Sequence, residues 1–301
     1  MENKPLVSII ALNFNQTPIT MDFLKSMELL TYPNYEIVVV DNASKVDPTP
    51  EIKEKYPRVR VVRTAQNLGF TGGHNLGMRE AKGEYFFNVN NDTEITADCA
   101  DLIEHLVEPF LADPKVGAVS PKVRYFFHPD ILEYAGHNPI NPFTGRGNAV
   151  GTHEVDRGQH DKSGPTHFAH GAAMMVSRKL VEAVGMFHDP FFIYYEEMDW
   201  SSRIIKAGYQ IYYQHKTMLF HKSSMTMGKD SAFRAFYFTR NRILYMRRHA
   251  NGFQFMAFML FFAFLVAPKT LATYLVKGQS EHLRSFIRAI KWHFAPPAGA
   301  V

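Results

Sequence analysis

Short apolar runs that empty into Asn- and Asp-bearing clusters, with a helical stretch between the first two, constrain this chain more than any other feature. Leu6–Leu12 ends at Asn13-Phe14-Asn15, Tyr35–Val40 ends at Asp41-Asn42-Ala43-Ser44, and Glu84–Phe87 runs into Asn88–Ile95. Val59–Arg63 is a further run of the same kind. Each is compact and rich in β-branched or aromatic residues, which predicts buried strands. Between the first two, Ile19, Phe23, Leu24, Met27 and Leu30 fall at helical spacing until Tyr32-Pro33-Asn34 stops the pattern. Strand, helix, strand with apolar strands predicts an α/β fold, a mostly parallel sheet covered on both faces. In such a sheet the polar strand ends share one edge, where open α/β sheets bind ligands.

That edge carries the first candidate residues. Asp92 is a hard oxygen donor suited to Mg²⁺ or Mn²⁺, with Asn90 spaced to add an amide oxygen and Asn91 between them. The same Asn-Asn-Asp-Thr string also suits a plain turn and helix cap. Asp41, beside Asn42 and across from Asn13 and Asn15, can accept from a nucleobase imide or a ribose hydroxyl, or serve as ordinary turn chemistry. Asn67-Leu68-Gly69-Phe70-Thr71-Gly72-Gly73-His74-Asn75 opens a helix with a glycine-dense loop, which lets backbone N–H groups approach an anion. It matches neither a Walker loop nor Gly-x-Gly-x-x-Gly, so neither ATP nor NAD is expected.

Further along, Ala97–Phe110 reads as a helix, Val116–Ser120 as a strand, and 124–165 as a partly ordered insertion beside a pocket. His153, His160 and His167 recur every seven residues, which is neither one helix face nor a zinc pattern. Small residues at Gly171 and Ala172 let backbone approach a substrate, or pack against a helix. Glu196, Glu197 and Asp199 then put three carboxylates in four positions, followed by Trp200 and Arg203. They complement a helix N-terminus, or supply a general base with Arg203 holding a second acid in place. His221 is either a core histidine or an imidazole ligand beside Asp92.

Charge divides the chain. Residues 231–301 hold ten Lys and Arg against one acid, Glu281, while the first 230 hold 23 against 28. A catalytic body over 1–230 and a basic, greasy helical region over 231–301 are expected, the boundary at Asp230. Phe253–Ala267 is apolar except for Gln254, but fifteen helical residues reach only about 22 Å and Pro268 should interrupt them. With Arg240, Arg242, Arg247 and Arg248 before it and Arg284, Arg288 and Lys291 after it, the region predicts helices lying on an anionic membrane surface rather than on nucleic acid. A helical cap or homodimer interface is the other reading. The lone Cys99 excludes an internal disulfide, and the first residues show no signal-peptide pattern, so a cytoplasmic protein at the membrane's inner face is expected.

The order of motifs resembles the family 2, inverting glycosyltransferases of GT-A fold, most closely their bacterial rhamnosyltransferase-like branch. S-I-I-A-L-N-F-N, V-V-V-D-N-A-S, N-L-G-F-T-G-G-H-N-L-G, N-N-D-T, G-A-A-M-M-V-S-R, F-F-I-Y-Y-E-E-M-D-W-S-S-R, the His221 segment and F-Y-F-T-R-N-R carry the likeness over about residues 6–250. The resemblance implies a GT-A nucleotide-diphospho-sugar transferase fold with a Rossmann-like sheet. It makes Asp41, with Asn13, Asn15, Asn42, Asn67, Gly69, Gly73, Asn75, Asn90 and Asn91, the donor side. It implies Asp92 and His221, with Asn90 in place of a first aspartate, as ligands of Mg²⁺ or Mn²⁺. Glu197 takes the position of the catalytic base, with Glu196 and Asp199 beside it, and Gly171, Ala172, Trp200 and Arg203 lie toward the acceptor. The implied donor is dTDP-rhamnose, or a UDP-sugar, and the acceptor a glycan or lipid-linked glycan. A sugar nucleotidyltransferase, or a binding subunit whose activity has lapsed through Asn90, are the competing readings.

Overall fold

The computed structural model describes residues 4–223 and 231–296; Met1–Asn3, Ser224 and the boundary at Asp230 fall outside the described residues. The apolar runs form strands β1 (Val7–Asn13), β2 (Tyr35–Asp41), β3 (Arg60–Arg63) and β4 (Tyr85–Val89). β1 pairs in parallel with both β2 and β4, and β2 with β3. Beyond β4 the sheet becomes mixed. β9 (Ala173–Ser177) runs antiparallel between β4 and β6 (Val116–Tyr125), and β10 (Gln210–His221) lies parallel to β6. The expected parallel order therefore holds for the first half, and the sheet is completed as β3-β2-β1-β4-β9-β6-β10-β5, with β5 being Thr93–Glu94.

Period-two alternation sends neighbouring strand residues to opposite faces. Ile9, Ala11, Phe87 and Val89 pack with α1 (Thr17–Met27) and α4 (Leu102–Ala112) through Phe23, Leu24, Leu102 and Leu106. Ile10, Val40 and Phe86 pack on the other side with Met78 of α3 (Gly69–Glu80), Leu180 of α5 (Arg178–Val184) and Trp200 and Ile204 of α6 (Glu196–Lys206). Each fully buried large apolar side chain of this kind contributes roughly 1.5–3 kcal/mol. The sheet is thus covered on both faces, which frees its edge above β1, β2 and β4 for chemistry.

The 124–165 stretch, expected as a partly ordered insertion, contributes strands at its two ends: β7 (His128–Tyr134) makes a hairpin with β6, and β8 (Gly164–Thr166) pairs with β10. One expectation changes: Pro268 does not end the apolar helix. A π-helical turn over Phe262–Val266 precedes it, so the missing N–H falls where the ladder is already widened. The helix runs unbroken from Gly252 to Val276, 25 residues, or about 37 Å. It is long and apolar enough to cross a membrane by length and composition alone, a test that core helices of soluble proteins also meet. One face is packed: Phe258 and Phe262 join Phe286 of the last helix (Ser280–Trp292) and Ile243 and Leu244 of α7 (Ala232–His249). The other exposes Phe253, Met256, Leu260, Phe264 and Leu265.

Candidate functional site

The ends of β1 and β2 meet in register, Asn13 opposite Asp41. Asp41 is fully buried, its carboxylate accepting from Asn13 Nδ2 at 2.8 Å and Arg63 Nε at 2.9 Å. Asn13 in turn accepts from Thr20 Oγ1, whose oxygen accepts from Asn91 Nδ2, both at 2.9 Å. Asp41 and Asn13 therefore brace the strand ends from beneath and do not line a pocket. A chain of hydrogen bonds of this kind fixes a loop in one conformation because each group satisfies the next.

Above them lies a cavity of about 380 Å³, whose lining includes Leu12, Asn42, Asn67, Gly69, Asn90, Asn91, Asp92, Ile193, Tyr194 and His221. Of the expected donor-side residues, Asn42, Asn67, Gly69, Asn90 and Asn91 reach it. Asn42 also closes the loop before α3, donating to the Gly69 carbonyl and accepting from the Leu68 amide. Asn15, Gly73 and Asn75 do not reach it. Asn15 holds the Lys45 amide, Gly73 lies against Leu12, and Asn75 donates to Asp189 and the Phe187 carbonyl.

The glycines of α3 serve packing rather than anion binding. A Cβ on Gly77 would stand 2.3 Å from Ile10 Cγ2, and one on Gly73 2.9 Å from Leu12. They let the helix settle on β1. The first amides of α3 are taken as well, since Phe70 N and Thr71 N both donate to the Phe192 carbonyl, at 2.6 and 3.2 Å. Gly69, at φ +72°, has no room for a Cβ against the Phe192 ring and carbonyl.

At the cavity's far wall, Asp92 from the β4–β5 turn faces His221 from the end of β10, Oδ1 to Nε2 3.2 Å. The Asn90 side-chain Nδ2 is 3.4 Å from the same nitrogen, so a turn of the amide about its Cβ–Cγ bond would bring Oδ1 there instead. His221 Nδ1 lies 2.8 Å from Glu133 of β7, and Ser223 Oγ donates to the other Glu133 oxygen. Burial opposes a charge on this imidazole. The hydrogen bonds and charges of Asp92 and Glu133 outweigh it, and the pKa is pushed up to about 10. Glu133 itself resists burial, because His221 holds its carboxyl down to about 2. The imidazolium thus carries the positive charge that two acids demand. A divalent cation fits the same place: Glu133 orients the ring through Nδ1, as carboxylates orient metal-bound histidines, leaving Nε2 and Asp92 as donors. Among the described residues no three His, Cys, Asp or Glu side chains converge as a full metal cage. Two protein donors plus an amide suit an ion completed by phosphates. His153, His160 and His167 do not form a cluster: His153 stacks on Tyr125 and His160 pairs with Glu154.

The three acids of α6 separate by environment. Asp199 is fully buried and pairs with Arg203 Nε at 2.9 Å and with Arg248 Nε and His249 Nε2, both at 2.8 Å. Those partners hold its carboxyl far below the usual range despite burial. It is the acid that Arg203 holds in place, as one reading of the sequence expected, and Glu197 and Glu196 remain as candidate bases. Trp200 and Arg203, expected toward the acceptor, do not line the cavity. Trp200 is enclosed against Phe187 with Nε1 donating to the Gly185 carbonyl, and Arg203 is bound to Asp199 and the Val184 and Met186 carbonyls. Glu197 and Glu196 each keep a buried carboxylate oxygen without a partner. Burial pushes Glu197 up to about 6, and burial with the neighbouring Glu197 charge pushes Glu196 well above the carboxylate range. The Glu197 side chain lies 3.9 Å from where a Cβ of Gly171 would stand. The next residue, Ala172, accepts the Asn90 amide at 3.0 Å. Gly171 and Ala172 therefore link the Glu197 carboxyl to the Asp92 turn.

The loop presenting these acids is strained. Phe192, Tyr194 and Tyr195 all have φ between 65° and 70°, a conformation costing non-glycine residues of order 1–3 kcal/mol each. α7 clamps it. Asn241 Nδ2 donates to the Phe191, Ile193 and Tyr194 carbonyls at 2.7–2.9 Å, and Arg240 Nη2 to those of Pro190 and Phe191. This gives the Arg-Asn-Arg string on α7 a role that sequence reasoning missed. α7 thus packs on the loop before α6 from beyond the expected boundary. Glu133 was also missed, for it lies in the stretch without periodicity; so was His170, whose ring stands 6.1 Å from that of His221.

Comparison with known proteins follows the same lines. The family model described as Glycosyl transferase family 2 matches residues 8–185. The N-acetylglucosaminyl-diphospho-decaprenol L-rhamnosyltransferase of Mycobacterium tuberculosis is 25% identical over 248 residues, covering 75% of this chain and 79% of its own. The low-salt glycan biosynthesis hexosyltransferase Agl10 of Haloferax volcanii is 26% identical over 220 residues, 69% of this chain and 66% of that one. Among solved structures, the mannosyltransferase PcManGT from Pyrobaculum calidifontis, in complex with GDP-Man and Mn²⁺, superposes with a TM-score of 0.58 at 18% identity, covering 98% of this chain and 89% of that one. GalNAc-T7 with UDP, GalNAc and Mn²⁺ gives 0.65 at 16% identity, over 82% and 48%.

Proposed function

The chain belongs to glycosyl transferase family 2 and has the GT-A fold, and from that premise we propose that it moves a sugar, rhamnose favoured, from a nucleoside diphosphate to a hydroxyl of a lipid-linked glycan with inversion. The observation carrying this reading is the convergence of Asp92 and His221 on one wall of the cavity that Asn42, Asn67 and Gly69 line. In this reading the nucleoside lies over the β1–β2 ends, and Asp92, His221 and the Asn90 amide hold Mg²⁺ or Mn²⁺ with the diphosphate. The ion, when bound, supplies neutralisation of the leaving diphosphate. Glu197 takes the proton from the acceptor hydroxyl, for which a pKa near 6 leaves it ionised at neutral pH. The hydroxyl oxygen then attacks the anomeric carbon from the face opposite the diphosphate. The bond to the diphosphate breaks as the new glycosidic bond forms, inverting the configuration. Rhamnose and a polyprenyl diphosphate acceptor are favoured because the mycobacterial relative's name specifies both.

The membrane reading follows from the Gly252–Val276 helix. With Phe258 and Phe262 tied to α7 and the last helix, its exposed apolar outer face would enter the bilayer interface and Arg284, Arg288 and Lys291 would meet anionic headgroups. Peripheral attachment at the cytoplasmic face suits a soluble donor and a lipid-borne acceptor; a homodimer through the same face is the competing use. The test of function is a screen of dTDP-, UDP- and GDP-sugars against purified protein with Mg²⁺ or Mn²⁺, reading nucleoside diphosphate released and product anomeric configuration by NMR. Metal-dependent release with inversion is expected. Release from none of them, or retention of configuration, would overturn the proposal.

A further inference from the structure

A second cleft, about 260 Å³, lies between α7 and the long apolar helix. Ser231, Arg234, Ala235, Phe238, Thr239 and Arg242 line it from one face of α7, and Arg146 closes it from the β7–β8 connection. Its opposite wall is Phe262, Val266, Thr270 and Tyr274 of the Gly252–Val276 helix. Arg234 and Phe238 line both this cleft and the donor cavity.

Two of these arginines carry charge that no carboxylate answers. Among the described residues no carboxylate lies within ion-pair reach of Arg146 or Arg242. Arg242 is buried, and its hydrogen bonds, from Nε and Nη2, both go to the Thr144 carbonyl. Burying a guanidinium without a counter-ion is costly, so cations gathered in one cleft mark a place for a supplied anion. The cleft also begins at the N-terminus of the 18-residue α7, whose dipole favours negative charge. Its other wall carries Phe262 and Val266 beside the hydroxyls of Thr270 and Tyr274, and belongs to the helix whose outer face exposes Phe264 and Leu265. An anion joined to a hydrocarbon chain, presented next to the donor, satisfies both walls.

We propose that this cleft binds the diphosphate of an isoprenoid-linked acceptor, with Arg146 and Arg242 on the phosphates and the chain leaving along the Gly252–Val276 helix. The inference rests on the lipid-linked acceptor proposed above and adds its phosphate subsite. It would place the acceptor sugar toward Arg234 and Phe238, the residues shared with the donor cavity.

The test uses farnesyl diphosphate as probe, titrated calorimetrically into the full-length protein in EDTA. Binding is expected in wild type and equally in Asp92→Ala. It should weaken about tenfold or more in Arg146→Gln, the scale of one charge-assisted hydrogen bond. Thr270→Glu, which sets a carboxylate in the cleft, should weaken it similarly; both positions are exposed or partly so and their substitutions should fold. Inorganic diphosphate, lacking the chain, should bind more weakly than the probe. Loss of binding in Asp92→Ala would put the probe in the donor cavity and overturn the proposal. So would undiminished binding in both cleft variants. Variants that lose only flotation with phosphatidylglycerol vesicles, keeping the probe, would make the cleft a headgroup contact instead. Nucleoside diphosphate release by wild type is measured in parallel: release without probe binding refutes the cleft alone, whereas no release from any donor refutes the transferase reading.

Discussion

At the scale of single residues, the account turns on three acids that sit within four positions and differ in what surrounds them. Glu197→Gln keeps the shape and removes the base, so turnover should fall about 10²–10⁴-fold with donor affinity retained. In wild type the active form is the ionised one. With the pKa raised to about 6, kcat/KM should rise with pH through 6 and level off above it. The sign for stability is opposite. The native state holds this proton more tightly than the unfolded chain, whose carboxyl titrates near 4.5, so this contribution is full below 4.5 and lost as pH rises through 6. Glu197→Gln should therefore melt higher than wild type at pH 8. Equal melting temperatures would show that the carboxyl is not desolvated. Asp199→Asn should do the reverse, leaving Arg203, Arg248 and His249 without their anion and costing about 3 kcal/mol, read as a shifted denaturant midpoint. If Asp199→Asn is instead stable, binds donor and is inactive, the two roles are exchanged.

Among elements, the informative one is the strained Phe192–Tyr195 loop and the α7 side chain that holds it. Asn241→Ala removes the donor to the Ile193 and Tyr194 carbonyls, each worth about 1 kcal/mol or more when left unsatisfied, while the Phe191 carbonyl keeps Arg240 Nη2. Lower stability, a lower kcat and weaker donor binding are expected, since Ile193 and Tyr194 line the donor cavity and Glu197 lies just beyond this loop; unchanged kcat would separate the clamp from the chemistry. This clamp shows where sequence reading stopped. The strands and their polar ends were legible because apolar runs and period-two packing are local properties. The ends of Asn13, Asp41 and Asp92 were found for that reason. What the glycines of α3 do was not legible, because the atoms they make room for, on Ile10, Leu12 and Phe192, come from distant chain. Glu133 reaches His221 across 88 residues, and nothing local to β7 marks it. Pro268 read as a stop because a proline usually is one; the π turn ahead of it is a tertiary choice.

For the whole molecule, the basic, apolar end both packs on the loop before α6 and is the proposed bridge to the membrane. These uses separate by face. Phe253→Ser, Leu260→Ser and Phe264→Ser together alter only exposed positions, so the protein should fold and bind donor but no longer float with phosphatidylglycerol vesicles at low salt. A wild type that ignores such vesicles would instead assign this face to a second copy, which sedimentation would detect. The central claim, that the β4 turn and the end of β10 form a cation-assisted transfer site, is tested most directly by titrating Mn²⁺ against nucleoside diphosphate release in wild type and Asp92→Ala, with thermal melts confirming both are folded. The account predicts saturable metal activation in wild type and loss of metal-dependent release in the variant at any Mn²⁺ concentration that wild type needs. Near-normal release by Asp92→Ala at limiting Mn²⁺ would contradict it.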